Sequence, residues 1–200
     1  MGKGDTEIEL VSGSYLDLLD PDPKLMTAQV IGWHLSQQNR YAGACRRPYS
    51  VAEHAMLVAR RLETTGEEAE VVMAGLHHDD AEAFLGDLTR PLKAQLLRYC
   101  EIEDLMMAVI WHGLGLARIS ETEAMVVKDA DNWALAAEAW YLMPSRGEGW
   151  YQTDGLFDRN DPDQYRLCEG LRQSPRALID TSGVAHRWLK MHKRLKDELK

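Results

Sequence analysis

Apolar residues recur at helical spacing along most of the chain, and turn residues cut the pattern into segments. From Lys24 to Gln38, Leu25, the pair Val30-Ile31 and Leu35 fall four to five residues apart with no interior proline, which predicts a helix. Asn39 to Pro48 is polar and reads as a loop. Ser50-Val-Ala-Glu53 is a capping box, a hydroxyl at the N-cap with a glutamate three residues on, and it opens a helix to about Glu63. Glu67 to Leu85 predicts a second helix, broken at Gly86-Asp-Leu-Thr-Arg-Pro91, and Leu92 to Leu114 a third. Ser120-Glu-Thr-Glu123 is another capping box and starts a helix to about Leu142. Asp163–Leu171 reads as a short helix and Val184–Leu199 as a terminal one. No stretch holds a period of two, so no strand is predicted.

Two segments lack the pattern. Residues 1–23 read as an irregular arm that ends in Asp20-Pro-Asp-Pro23, where two prolines stop regular structure. Residues 144–162 are rich in Gly, Asp, Asn and Pro and read as a loop. The expectation is one all-α domain of six or seven helices: an arm (1–23), a core (24–143), and a loop plus C-terminal helices (144–200) packing on the same domain.

Composition narrows the function. Two hundred residues suffice for one sizeable core. A net charge of -9 and a pI near 5.3 argue against a broad basic surface for polymeric nucleic acid. A small anion needs only a few local cations and stays open. Cys45, Cys100 and Cys168 form no CxxC pair, so neither a disulfide framework nor a zinc knuckle is expected. With no apolar leader and no run of 18 apolar residues, the expectation is a cytoplasmic protein without a membrane partner.

The chemistry concentrates in Ala74 to Lys93, around the doublet His78-Asp79. An imidazole beside a carboxylate inside an apolar run is costly to bury unpartnered. On a continuous helix His78, Asp79 and Glu82 would share one face. His54 sits near the start of the preceding helix, and Asp131 lies mid-helix in an apolar stretch. Two imidazoles and two carboxylates suit Mn, Fe, Co, Ni or Zn and suit calcium poorly. Arg40, Lys93 and Lys128 are cations available to an anionic substrate.

The ordered set His54, His78-Asp79 and Asp131 resembles the H…HD…D pattern of HD-domain phosphohydrolases. Tyr49-Ser-Val-Ala-Glu-His54, Gly75-Leu-His-His-Asp-Asp-Ala-Glu82, Gly86-Asp-Leu-Thr-Arg-Pro-Leu-Lys93 and Val127-Lys-Asp-Ala-Asp131 are similar to the YfbR-like branch. That branch holds 5'-deoxynucleotidases and phage and bacterial relatives acting on deoxynucleoside triphosphates, including dATP. The resemblance covers roughly residues 25–143 and implies an HD-domain helical bundle in a bacterial or phage-infected host cytosol. It implies that His54, His78, Asp79 and Asp131 bind a divalent ion, with a second ion such as Mg travelling with the phosphates. Glu82 and Asp87 would handle the attacking water and the leaving sugar oxygen. Arg40 would touch phosphate, Tyr41 sugar or base, and Lys93 and Lys128 the outer phosphates.

The activity so implied is cleavage of dATP or a related triphosphate to deoxynucleoside and triphosphate. The alternatives are a 5'-nucleotidase on deoxynucleoside monophosphates and a catalytically silent nucleotide-sensing or interaction protein. A small-molecule nucleotide is the expected partner, and a homo-oligomer stays open. Two positions depart from the family: His77 stands where an apolar residue is usual, and Asp80 where a small one is. His77 reads as packed or as supporting a ligand, and Asp80 as solvated. His34 and His112 read as structural. Trp188, Met191, His192 and Leu195 form a stripe that packs on the domain or on a second copy.

Overall fold

The computed structural model describes residues 4–150, 153–172 and 180–200. Residues 1–3 of the predicted arm, 151–152 of the predicted loop and 173–179 of the C-terminal segment lie outside the described residues. Helix dominates, as expected of an all-α protein. The exception is a two-stranded hairpin, β1 (Glu7–Glu9) and β2 (Tyr15–Asp17), antiparallel with Ile8 opposite Leu16. This corrects the reading of the arm as irregular. Three residues per strand are too few for a visible period of two, yet Leu16 is fully buried and Leu10 nearly so. Gly13, at φ +81°, makes the turn. His34 ties the arm down: its Nε2 accepts from the Val11 amide (3.1 Å) while Nδ1 donates to the Ala83 carbonyl (3.1 Å).

The first helix, α1 (Ala28–Gln37), starts later than the pattern suggested, because a 3-10 turn at Pro23–Leu25 precedes it and Thr27 is its N-cap. Both capping boxes form: Ser50 with Glu53 opens α2 (Val51–Thr65), and Ser120 with Glu123 opens α7 (Glu121–Leu142). Two predicted helices are each broken. The one expected over Glu67–Leu85 is α3 (Ala69–Leu76), a turn over residues 77–81, and α4 (Glu82–Leu85). His78 Nδ1 lies 2.8 Å from the Gly75 carbonyl, the oxygen that a continuing helix would offer to the amide four residues on. His78, Asp79 and Glu82 therefore do not share a helical face, and whatever brings them together is the turn.

The helix expected over Leu92–Leu114 is likewise α5 (Arg90–Lys93) and α6 (Leu97–Leu114), folded on each other where Lys93 pairs with Glu103 at 2.6 Å. With α8 (Pro162–Leu167) and α9 (Thr181–Glu198), the described residues hold nine α-helical segments, two more than seven because of these breaks. No helix among the described residues is long and apolar enough to cross a membrane.

At the centre, α2 packs against α1, α3, α7 and α9. One apolar cluster runs from Leu10 and Leu16 of the arm through Leu35, Val58, Leu76, Ile110 and Leu142 to Trp188 and Leu195 of α9. On α2, the residues from Val51 to Leu62 that face this core are apolar except His54, which has no exposed surface. Burying an imidazole there demands partners for both ring nitrogens.

Candidate metal centre

Those partners lie on two other segments, the turn over residues 77–81 and α7. The His54 Nε2 is 3.2 Å from Nε2 of His78, 3.2 Å from Oδ1 of Asp131 and 3.5 Å from Oδ2 of Asp79. His78 Nε2 is 3.1 Å from Asp79 Oδ2 and 3.8 Å from Asp131 Oδ1. His54, His78 and Asp131 form a cluster that could hold a metal ion, their ligand atoms all within 4.8 Å of one another. Asp79 Oδ2, 3.1 Å from His78 Nε2 and 3.5 Å from His54 Nε2, adds a fourth donor and the second oxygen. Donors about 2.1 Å from a common ion stand about 3.0 Å apart at right angles and about 3.4 Å apart at the tetrahedral angle. The observed separations run from 3.1 to 3.8 Å, close to the tetrahedral spacing, so the donor set fits a divalent ion. No metal identity follows from nitrogen and oxygen donors alone.

Both histidines are turned to offer the same nitrogen. His78 donates Nδ1–H to the Gly75 carbonyl, and His54 Nδ1 lies 2.7 Å from Oε1 of Glu138. With each Nδ1 carrying a proton, each Nε2 is the nitrogen that would give a lone pair to an ion, once any proton of its own has left. Glu138 was not found in the sequence. It is fully buried on α7, two turns beyond Asp131, and accepts from Tyr49 Oη (3.0 Å) and from Tyr41 Oη as well. A lone carboxylate in Ala134-Leu-Ala-Ala-Glu-Ala-Trp140, seven residues from Asp131, was the available signal.

Electrostatics agree with the geometry. Burial raises Asp79 and Asp131, but the neighbouring histidines outweigh it and hold both carboxyls well below their usual range. Burial lowers His78, but Asp79 and Asp131 reverse this and hold it well above its ordinary value. Burial pushes Glu138 up, yet His54 and Arg40 pull it below normal, so it is charged.

Arg40 sits at this edge, its Nη1 3.6 Å from Asp79 Oδ2 and its Nε 3.3 Å from Glu138 Oε2. It opens a 3-10 turn (Arg40–Gly43) in which Tyr41 (φ 59°) and Ala42 (φ 49°) are both left-handed. Left-handed backbone costs a non-glycine residue roughly 1–2 kcal/mol. The turn is clamped by Arg40 N–H to the Tyr49 carbonyl (2.9 Å) and by the Tyr41 hydroxyl on Glu138. The strain holds the Arg40 guanidinium over the cluster.

Other predicted residues lie within electrostatic reach of the cluster. Glu82 is nearly buried with Oε2 unpartnered, and burial together with Asp79 and Asp87 raises its pKa well above normal. Burial also raises Asp87, with Arg40 pulling it back. Lys93 feels Glu82 and Asp79 but is paired to Glu103. Lys128 pairs with Oδ2 of Asp131, at 2.5 Å. Asp80, read as solvated, is instead fully buried, with Oδ2 2.5 Å from His77 Nδ1. The run His77-His78-Asp79-Asp80 is thus two pairs, His78 and Asp79 facing the cluster and His77 and Asp80 facing the core. A cavity of about 900 Å³ borders a different face of α2, beside Arg47, Met56 and Arg60, and none of the predicted site residues line it.

Fold and site together define an all-helical protein with a His/Asp cluster able to hold a metal ion. No family model matches the chain. It is 33% identical over 175 residues to the uncharacterized protein RCAP_rcc00048 of Rhodobacter capsulatus, covering 83% of this chain and 87% of that one. It is 32% identical over 142 residues to the uncharacterized protein YfdR of Escherichia coli K12, covering 71% and 74%. The chain belongs to the same family as these proteins.

Proposed function

We propose that the protein is a metal-dependent phosphohydrolase of the HD-domain type that cleaves the 5' phosphoester of a deoxynucleotide. The observation that carries this is the convergence of His54 Nε2, His78 Nε2, Asp79 Oδ2 and Asp131 Oδ1 beside the buried Arg40 guanidinium. A divalent ion in that set, Mn, Co, Zn, Fe or Ni, would acidify water and polarise a phosphoryl oxygen. Arg40, rigid and already desolvated, would bind a phosphate oxygen with little reorganisation. Water would attack phosphorus, the bond from phosphorus to the 5' oxygen would break, and that oxygen would take a proton. Glu82, whose pKa burial raises well above normal, suits the donor's part, and Asp87, which interacts electrostatically with Arg40 and Asp79, suits acceptance of the water's proton. Tyr41 would lie beside the sugar or base, with its hydroxyl committed to Glu138.

On this reading dATP gives deoxyadenosine and triphosphate, with Lys93 and Lys128 on the outer phosphates and Mg accompanying them. One observation favours the 5'-nucleotidase alternative: both lysines already sit in ion pairs, with Glu103 and Asp131. Incubation with dATP or dAMP plus Mn or Co, followed by chromatography, separates the two. Deoxyadenosine and triphosphate from dATP support the triphosphatase. Phosphate from dAMP with dATP untouched supports the nucleotidase, and no turnover of any nucleotide with any of these metals sinks the enzyme reading. The protein would work in the cytoplasm on a free nucleotide, without nucleic acid or membrane.

A further inference from the structure

His77 and Asp80 bracket the ligand pair His78-Asp79, at the two positions that depart from the resembled family. In the fold these departures meet each other, with His77 Nδ1 2.5 Å from Asp80 Oδ2 and neither residue exposed. The other ring nitrogen of His77, Nε2, lies 2.9 Å from Nδ1 of His192, 115 residues on and in α9. The His192 ring stacks on Trp188 (centroids 6.0 Å apart, planes within 5°), and Trp188 meets His77 edge-on at 5.0 Å. Gly32 of α1 closes the far side, where an added Cβ would stand 2.6 Å from the indole. A buried polar chain, Asp80–His77–His192, therefore runs from the turn that carries two candidate ligands to the C-terminal helix.

Apolar side chains would fill this space at lower desolvation cost. What the polar chain adds is direction. Residues 77–81 form a turn outside regular helix, held by the Glu82 and Ala83 amides on the Asp79 and Asp80 carbonyls (3.0 and 3.1 Å), and side-chain bonds add to what sets its rotation. A bonded His77 before the ligand pair and a bonded Asp80 after it fix that rotation from both ends. We infer that Asp80, His77 and His192 form a positioning strut that sets His78 and Asp79 for the ion and links ion binding to the docking of α9. This rests on the metal-centre reading. Linkage is reciprocal: if α9 docking tightens ion binding, ion binding must tighten α9 docking by the same factor.

The test is a Co2+ titration of the full chain followed by visible absorption, which reports both affinity and coordination. His192→Phe keeps a ring against Trp188 but leaves His77 Nε2 without a partner, and His192→Gln restores a polar one. Supporting residues of this kind typically change metal affinity about 10–100-fold. The expected result is at least tenfold weaker Co2+ binding with altered bands in His192→Phe, recovered largely by His192→Gln. Equal affinity and spectra in the wild type and a folded His192→Phe overturn the strut alone. A wild type that binds no Co2+ overturns the metal centre and the strut together. Should His192→Phe not fold, hydrogen exchange on the wild type decides: added Co2+ should protect amides near Trp188 and His192 more than those of α6. Equal protection in α9 and α6 overturns the strut.

Discussion

Glu138→Gln is the substitution on which the site should be judged first. Glu138 receives three donors: Oε1 takes His54 Nδ1–H and the Tyr49 hydroxyl, and Oε2 takes the Tyr41 hydroxyl with Arg40 Nε 3.3 Å away. Glutamine has nearly the same shape but only one acceptor oxygen and no charge. If its NH2 faces Tyr41 and Arg40, two donors confront a donor. If it faces His54, the imidazole must move its proton to Nε2 and surrender the lone pair it offers the cluster. Either way Arg40 loses its nearer counter-ion while buried, keeping Asp79 at 3.6 Å. Stranding one member of a buried pair costs about 3–5 kcal/mol, and the retained Asp79 places this case near the low end, about 3 kcal/mol. For a domain of this size that lowers Tm by roughly 6–12 °C. Metal affinity should fall by about 10–100-fold. Thermal melting with and without metal, together with a metal titration, measures both. A variant within about 1 kcal/mol of wild type, binding metal with unchanged affinity, would refute the role given to Glu138.

Gly32→Ala drives a methyl into Trp188 and should cost about 1–3 kcal/mol by urea denaturation, and an unchanged midpoint would show that α1 and α9 are not in close contact. Burial, His77, Lys196 and Lys193 hold His192 at about 4 against 6.5 when unfolded. The unfolded chain then takes up the proton first, so this contribution is intact above pH 6.5 and lost as pH falls towards 4. Wild type should therefore lose stability faster than His192→Gln across that window, and parallel curves would contradict it. Because Asp79 and Asp131 hold His78 well above its usual value, metal uptake near neutral pH should release protons, and affinity should weaken as pH falls. Calorimetry in buffers of different ionisation enthalpy counts those protons. Lys128→Ala, on a side chain 56% exposed, should change stability by less than about 1 kcal/mol but raise KM for a phosphate substrate without lowering kcat. A kcat loss with unchanged KM would place Lys128 elsewhere in the mechanism.

The parts of the fold readable in sequence are those whose signals are local. A serine and a glutamate three residues apart marked the starts of α2 and α7 because the capping box closes within one turn. The candidate metal cluster was legible for a related reason: charged and imidazole groups in apolar stretches must meet one another, and His54, His78, Asp79 and Asp131 do. The hairpin of the arm was not legible, since what stabilises Leu16 is burial against helices far along the chain. Glu138 was passed over for a different reason. Its neighbours read as an ordinary apolar helix, and its purpose appears only when Tyr41, Tyr49 and His54, from three other places, are brought to it.

The turn at residues 77–81 shows how an incorrect local reading can still single out residues that cluster. A continuous helix would have put His78 and Glu82 on one face through backbone repetition alone. Instead the His78 side chain takes the Gly75 carbonyl, the helix stops at Leu76, and the ligand pair is aimed by side-chain bonds. A continuous helix would have set His77 and Asp80, three residues apart, on the face away from His78 and Asp79. With the helix broken, the two turn inward and bond to each other and to α9. Sequence spacing identifies which residues carry chemistry when their cost of burial is high. It fixes their orientation only where the backbone is regular, and in this chain the backbone is irregular at the residues that carry the site.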